Sequence, residues 1–184
     1  MKNLLIIVDP QNDFITGSLA VPGAVKAMDS LVDILNEKRI EFSNIIVTID
    51  FHPFNHCSFK ENGGEWPPHC IQYTEGAAMY PLLANVLGKL KDIEKVFFEK
   101  GWSQHLEEYS AFGSLYGSEG LLHTMDEKYF DRIYVAGLAG DYCVFQTVQD
   151  IIELGFGDTV VLLLDGIASI DGGEKLSTLE VSRV

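Results

Sequence analysis

A mainly parallel α/β sheet with helices on both faces is the fold class this sequence predicts, and three observations predict it. Apolar β-branched runs alternate with amphipathic stretches along the whole chain, the order of repeated strand–helix–strand units. The runs show little apolar–polar alternation, as strands covered on both faces require. The two long connections, Phe51–Tyr80 and Gly101–Ser118, both follow strands, on the side where an open α/β sheet places its ligand crevice. At 184 residues the chain reads as a single domain, 1–184, with one well-buried core.

The elements follow in order. Leu4–Val8 is the first strand; the apolar start stops at Asp9 with no small-residue cleavage site, so it is not a signal peptide. Val25–Lys38 has helical periodicity through Val25, Met28, Leu31, Val32 and Leu35. Ile45–Ile49 is the second buried strand, Pro81–Leu90 a helix, and Val96–Phe98 the third buried strand. Glu119–Met125 reads as helix and Ile133–Ala136 as the fourth strand. Val144–Leu154 is a helix stopped by Gly155, and Val160–Leu164 is the fifth strand. The tail runs to Val184 in what reads as a helix, so the sheet is expected to have five or six strands.

Charge narrows the partners. Twenty-seven acidic residues against 13 basic ones give a net charge of −14, which argues against nucleic acid or an anionic membrane surface. No stretch of about 18 apolar residues is present to span a bilayer. Three cysteines, odd in number and widely spaced, do not make a disulfide framework, and a reducing cytoplasm is the simplest location. A small-molecule partner is expected; homo-oligomerisation is left open.

Three of the five histidines fall in one stretch, His52, His56 and His69, just after Asp50. A lone histidine there would read as a wet loop residue. The cluster supplies the oxygen and imidazole ligands that a zinc, iron or manganese ion selects. Asp50 closes the second strand and faces the crevice, His52 could point the same way, and Trp66-Pro67-Pro68 is a rigid segment that would fix the approach of His69. Cys57 and Cys70 directly follow His56 and His69 and are weak ligand signals.

Cys143 lies in the turn Gly137–Val144 between the fourth strand and the next helix. A single cysteine is usually a small buried hydrophobe. A helix N-terminus, however, favours its thiolate and offers N–H groups to an oxyanion. Asp9 ends the first strand and Lys100 the third, so in a parallel sheet both can converge on Cys143. The carboxylate would serve as base and the ammonium would hold the anions.

These residues carry a resemblance. The segments Val8–Phe14 (VDPQNDF), Asp50–Phe59 (DFHPFNHCSF), Trp66–Cys70 (WPPHC), Phe97–Gly101 (FFEKG), Tyr109–Phe112 (YSAF) and Gly137–Val144 (GLAGDYCV) occur in order across most of the chain. Together they resemble the nicotinamidase/pyrazinamidase group of the isochorismatase-like cysteine hydrolase superfamily. The resemblance implies a three-layer α/β/α Rossmann-like fold and an Asp9–Lys100–Cys143 triad. It implies one divalent metal, zinc foremost with iron or manganese as alternatives, held by Asp50, His52 and His69. His56 matches a fourth histidine that some members use as a ligand and others replace. Phe14, Trp66 and Tyr109 match the walls of a pyridine pocket. The bond before Ala139 is similar to one that is cis in relatives, where it turns the Ala139 and Cys143 amides toward one oxyanion. The implied reaction is hydrolysis of nicotinamide to nicotinate and ammonia for NAD salvage. The alternatives are a related hydrolase acting on an N-carbamoyl or ureido amide, against which the metal set argues, and a non-catalytic metal-binding relative. Two departures stand out. Gly140 replaces the usual Thr or Ser, which is expected to loosen that turn, and the tail is short, leaving the sixth strand in question.

Overall fold

The structure, a computed structural model, describes residues 1–113 and 130–184. Six parallel strands form one sheet in the order β3-β2-β1-β4-β5-β6. They are β1 (Asn3–Val8), β2 (Asn44–Asp50), β3 (Glu94–Lys100), β4 (Arg132–Gly137), β5 (Val160–Ile167) and β6 (Ser182–Arg183). The helices are α1 (Asn12–Ile15), α2 (Ala24–Asn36), α3 (Pro81–Lys89), α4 (Phe145–Ile151) and α5 (Glu174–Ser177). A π-type turn over Gly140–Val144 leads into α4. The expected helix over Glu119–Met125 lies outside the described residues, as does the end of the Gly101–Ser118 connection.

The central strand explains its own composition. Leu5 and Ile7 of β1 face one core with Met28, Leu31 and Leu35 of α2 and Leu83 of α3. Leu4, Ile6 and Val8 face a second core with Val148 of α4 and Leu176 of α5. Every position of β1 is therefore buried, and from Leu4 to Val8 an uninterrupted apolar run fills it. Among the described residues, no helix is long and apolar enough to cross a membrane.

Two expectations need correction. Val96–Phe98 is not a buried strand: β3 is the sheet edge, and Phe97 is 49% exposed. The chain also does not run out in a helix. After the single turn of α5, Ser182 and Arg183 pair in parallel with Val161 and Leu162 as a two-residue sixth strand. Arg183 anchors it, donating through Nη2 to the carbonyls of Leu179 (2.6 Å) and Ser177 (3.1 Å). The Leu176–Leu179 spacing mimics helix, and a two-residue strand is too short to show a period of its own.

Candidate active site and metal site

Strand order reverses at β1, which lies between β2 and β4, and ligand crevices open beyond the carboxyl ends of strands at such a switch point. The chemical residues collect there. Asp50 and Lys100 are register partners at the ends of β2 and β3, Asp9 follows β1, and Cys143 follows β4. Asp9 sits in the left-handed region at φ 47, uncommon for a residue with a Cβ, and Thr48 ties it down. The Asp9 amide donates to the Thr48 carbonyl (3.1 Å), and the Thr48 hydroxyl donates to Asp9 Oδ1 (2.7 Å).

Lys100 is fully buried. Its Nζ lies 2.9 Å from Asp9 Oδ2, pairs with Asp50 Oδ1, donates to the Glu108 carbonyl (3.2 Å) and stands 3.6 Å from Cys143 Sγ. Burial opposes its charge, but Asp50 and Asp9 outweigh that and hold its pKa well above the ordinary value. Burial pushes the Asp9 carboxyl up despite Lys100. Burial also pushes the Cys143 thiol well up, against the pull of Lys100. The resting site thus pairs a neutral thiol with a carboxylate made more basic than usual, a match suited to proton transfer. Asp50 behaves oppositely: burial would raise it, but Lys100 and His52 hold it far below the usual carboxylate range.

Asp50, His52 and His69 are all buried and bring one ligand atom each to within 4.8 Å of one another. His52 Nδ1 bonds the Gly101 carbonyl (3.1 Å) and His69 Nδ1 bonds the Pro67 carbonyl (2.8 Å). Each bond puts the proton on Nδ1 and leaves Nε2 as the lone-pair nitrogen. His52 Nε2 is buried without a hydrogen-bond partner, 3.6 Å from Asp50 Oδ2. One ion bonded to both at roughly 2.0–2.2 Å fits that gap, so the residues present fit a divalent metal. Gly101 is glycine for two reasons: its φ is +72, and a Cβ there would collide with the His52 ring. Gln11, fully buried, fixes Asp50 by its backbone, accepting from the Asp50 amide (2.8 Å) and donating to its carbonyl (2.7 Å).

His56 stands apart from that trio. Its ring stacks on His52 (centroids 4.0 Å), but Nε2 bonds the Leu106 carbonyl (3.0 Å) and Nδ1 bonds the Ser58 hydroxyl (2.7 Å). Burial and His52 push its pKa down to about 4. It belongs to a second group with His52 and Glu107.

Phe14, Trp66 and Tyr109 line one cavity together with Asp50, His69, Ala139 and Cys143. Trp66 Nε1 donates to the Tyr109 hydroxyl (3.2 Å), and both rings pack on Tyr142. The peptide bond before Ala139 is cis. Sequence reasoning missed Thr48, Gln11, Glu107, Tyr142 and Ile170, all of which touch this site. Thr48 carried a signal, as the one polar residue inside an apolar strand, and Tyr142 directly precedes Cys143; Gln11, Glu107 and Ile170 are set by loops that only the fold brings close.

Fold and site together define an open α/β protein whose strand-end cleft joins a thiol, a lysine and a carboxylate to an Asp–His–His group. The chain belongs to the isochorismatase domain family, whose model matches residues 3–180. It is 35% identical over 190 residues to the nicotinamidase of Escherichia coli, covering 91% of this chain and 83% of that protein. A pyrazinamidase of Pyrococcus horikoshii, solved in complex with zinc, superimposes with a TM-score of 0.81 at 30% identity, over 100% of this chain and 99% of that one. A protein of L. infantum solved in complex with nicotinate superimposes with a TM-score of 0.84 at 34% identity, over 100% and 92%.

Proposed function

We propose that this protein is a metal-dependent amidase hydrolysing nicotinamide to nicotinate and ammonia, a step of NAD salvage. The observation that carries the reading is the placement of Cys143 Sγ, 3.6 Å from Lys100 Nζ, in an aromatic-walled cavity that also contains His69 and Asp50. Asp9 accepts the thiol proton, and the thiolate adds to the carboxamide carbon. The Ala139 and Cys143 amides hold the resulting oxyanion, each donor contributing about 3 kcal/mol. Asp9 returns the proton to nitrogen, the C–N bond breaks, and ammonia leaves a thioester on Cys143. Asp9 then takes a proton from water, the hydroxide adds to the thioester carbon, and the C–S bond breaks, Asp9 returning its proton to the Cys143 sulfur as nicotinate leaves. Lys100 stays charged throughout and keeps Asp9 available as the base. Asp50, His52 and His69 would hold a zinc, iron or manganese ion, which would supply a Lewis acid to orient and polarise the pyridine ring.

Two measurements test this reading. Benzamide keeps the ring and amide but lacks the ring nitrogen, so its kcat/KM is expected to be at least about 100-fold below that of nicotinamide; equal values would remove the metal from substrate recognition. Protein carrying His52→Ala and His69→Ala is expected to lose its metal on elemental analysis, whereas His56→Ala, whose nitrogens are already engaged, loses less than about tenfold in zinc affinity. Full metal content in the double variant would refute the site.

A further inference from the structure

The turn that carries Cys143 is clasped by the segment 167–171, which begins at the last residue of β5. Gly140 opens that turn, and its φ is not left-handed, so glycine is there for space and not for backbone freedom. A Cβ at Gly140 would collide with Ser169 Oγ and crowd Ile167 Cγ2. The Gly140 amide donates to the Ala168 carbonyl (2.8 Å). The expectation that a glycine here loosens the turn is therefore overturned: the room is filled by Ser169. Asp141, 4% exposed, then uses both carboxylate oxygens on the same segment, accepting from the amides of Ile170 (2.9 Å) and Asp171 (3.2 Å). Charge-assisted bonds of this kind are the stronger ones. What the clasp delivers is Ile170, 43% exposed, which lines the cavity with Cys143 and Tyr142 at its solvent side.

We propose that the 167–171 segment is the size-limiting wall of the substrate cavity, held at its distance from Cys143 by the absent side chain at Gly140 and by the Asp141 carboxylate. Ile170 is the specificity-determining residue that rejects larger rings. The inference rests on the reading of the substrate as an aromatic carboxamide. It differs from the triad in acting on which ring enters and not on the bond broken.

The test compares kcat/KM for nicotinamide with that for the ring-methylated nicotinamide that wild type rejects most. Ile170→Ala is expected to narrow that discrimination about tenfold, the usual scale for one or two carbons in an apolar pocket. Gly140→Thr, by pushing Ser169 away, moves it the same way, and adding Ser169→Gly restores the wild-type ratio. Asp141→Asn leaves one loop amide without its acceptor and gives an intermediate ratio, which keeps the test open should Gly140→Thr not fold. A second readout needs no turnover: alkylation of Cys143 by iodoacetamide and by N-benzylmaleimide, followed by mass spectrometry of the Cys143 peptide. Ile170→Ala is expected to raise the benzyl-to-small rate ratio about tenfold as well. Unchanged ratios in Ile170→Ala, or a Gly140→Thr effect that Ser169→Gly fails to restore, would overturn the proposal. Wild-type protein inert toward nicotinamide would instead sink the substrate reading, and the alkylation ratio would still decide the wall.

Discussion

Cys143→Ala is expected to lower ammonia release from nicotinamide by at least about 10⁴-fold, the scale seen when a covalent nucleophile is removed. Alanine keeps the small apolar volume, so folding should survive. Cys143 is buried in the second core beside Val144 and Val148, and a thiol there packs as a small hydrophobe. Cys57→Ser serves as the control. Cys57 is only partly buried, and its thiol is pushed up by burial and by Glu107, with no cation among the causes of the shift. Cys143 Sγ stands 3.6 Å from the Lys100 ammonium, which can stabilise a thiolate when a proton leaves. Circular dichroism together with an ammonia assay decides the matter: a well-folded Cys143→Ala retaining even a tenth of wild-type turnover would exclude a thioester route.

Much of this site could be read without coordinates because its residues end strands. Apolar runs that stop at Asp9, at Asp50 and at Glu99-Lys100 mark where a parallel sheet delivers side chains to its crevice, and the observed register sets Asp50 beside Lys100. What the chain order hides is what the other atoms of those side chains touch. His56 has the spacing of a ligand, yet the Leu106 carbonyl that occupies its Nε2 comes from fifty residues further along. Gln11 looks like a turn residue until the fold sets it against both backbone groups of Asp50. Ile170 sits in a polar loop after β5, and nothing local says that Asp141 will draw it to the cavity. Likewise the edge position of β3 and the brevity of β6 depend on pairing order, which an apolar pattern does not encode.

Lys100→Met should be costly for stability and for catalysis together. Methionine matches the length of the stem but not its charge, and Lys100 is the cation that Asp9 and Asp50 share in a fully buried site. Removing one member of a buried ion cluster leaves the others uncompensated, typically at about 3–5 kcal/mol. The rate should fall by roughly 10²–10³-fold, as when one preorganised electrostatic group is lost. The pH dependence separates this from a simple packing defect. In wild type, Asp50 is held far below its ordinary range by Lys100 and His52, against burial. It therefore contributes stability above about pH 4 that is lost as pH falls. Without the ammonium, the Asp9 carboxyl, already raised by burial, rises further, and Asp50 loses the largest influence holding it down, so burial raises it too. The native state of the variant then holds protons that the unfolded chain has released, so its stability falls as pH rises from about 4 toward 7. The gap between wild type and Lys100→Met is accordingly smallest near pH 4 and widest near neutrality, in chelator-treated protein unfolded with urea. A gap that stays constant across that range would show that Lys100 matters for its packing alone, and Asp9 would then need another source for its anionic state.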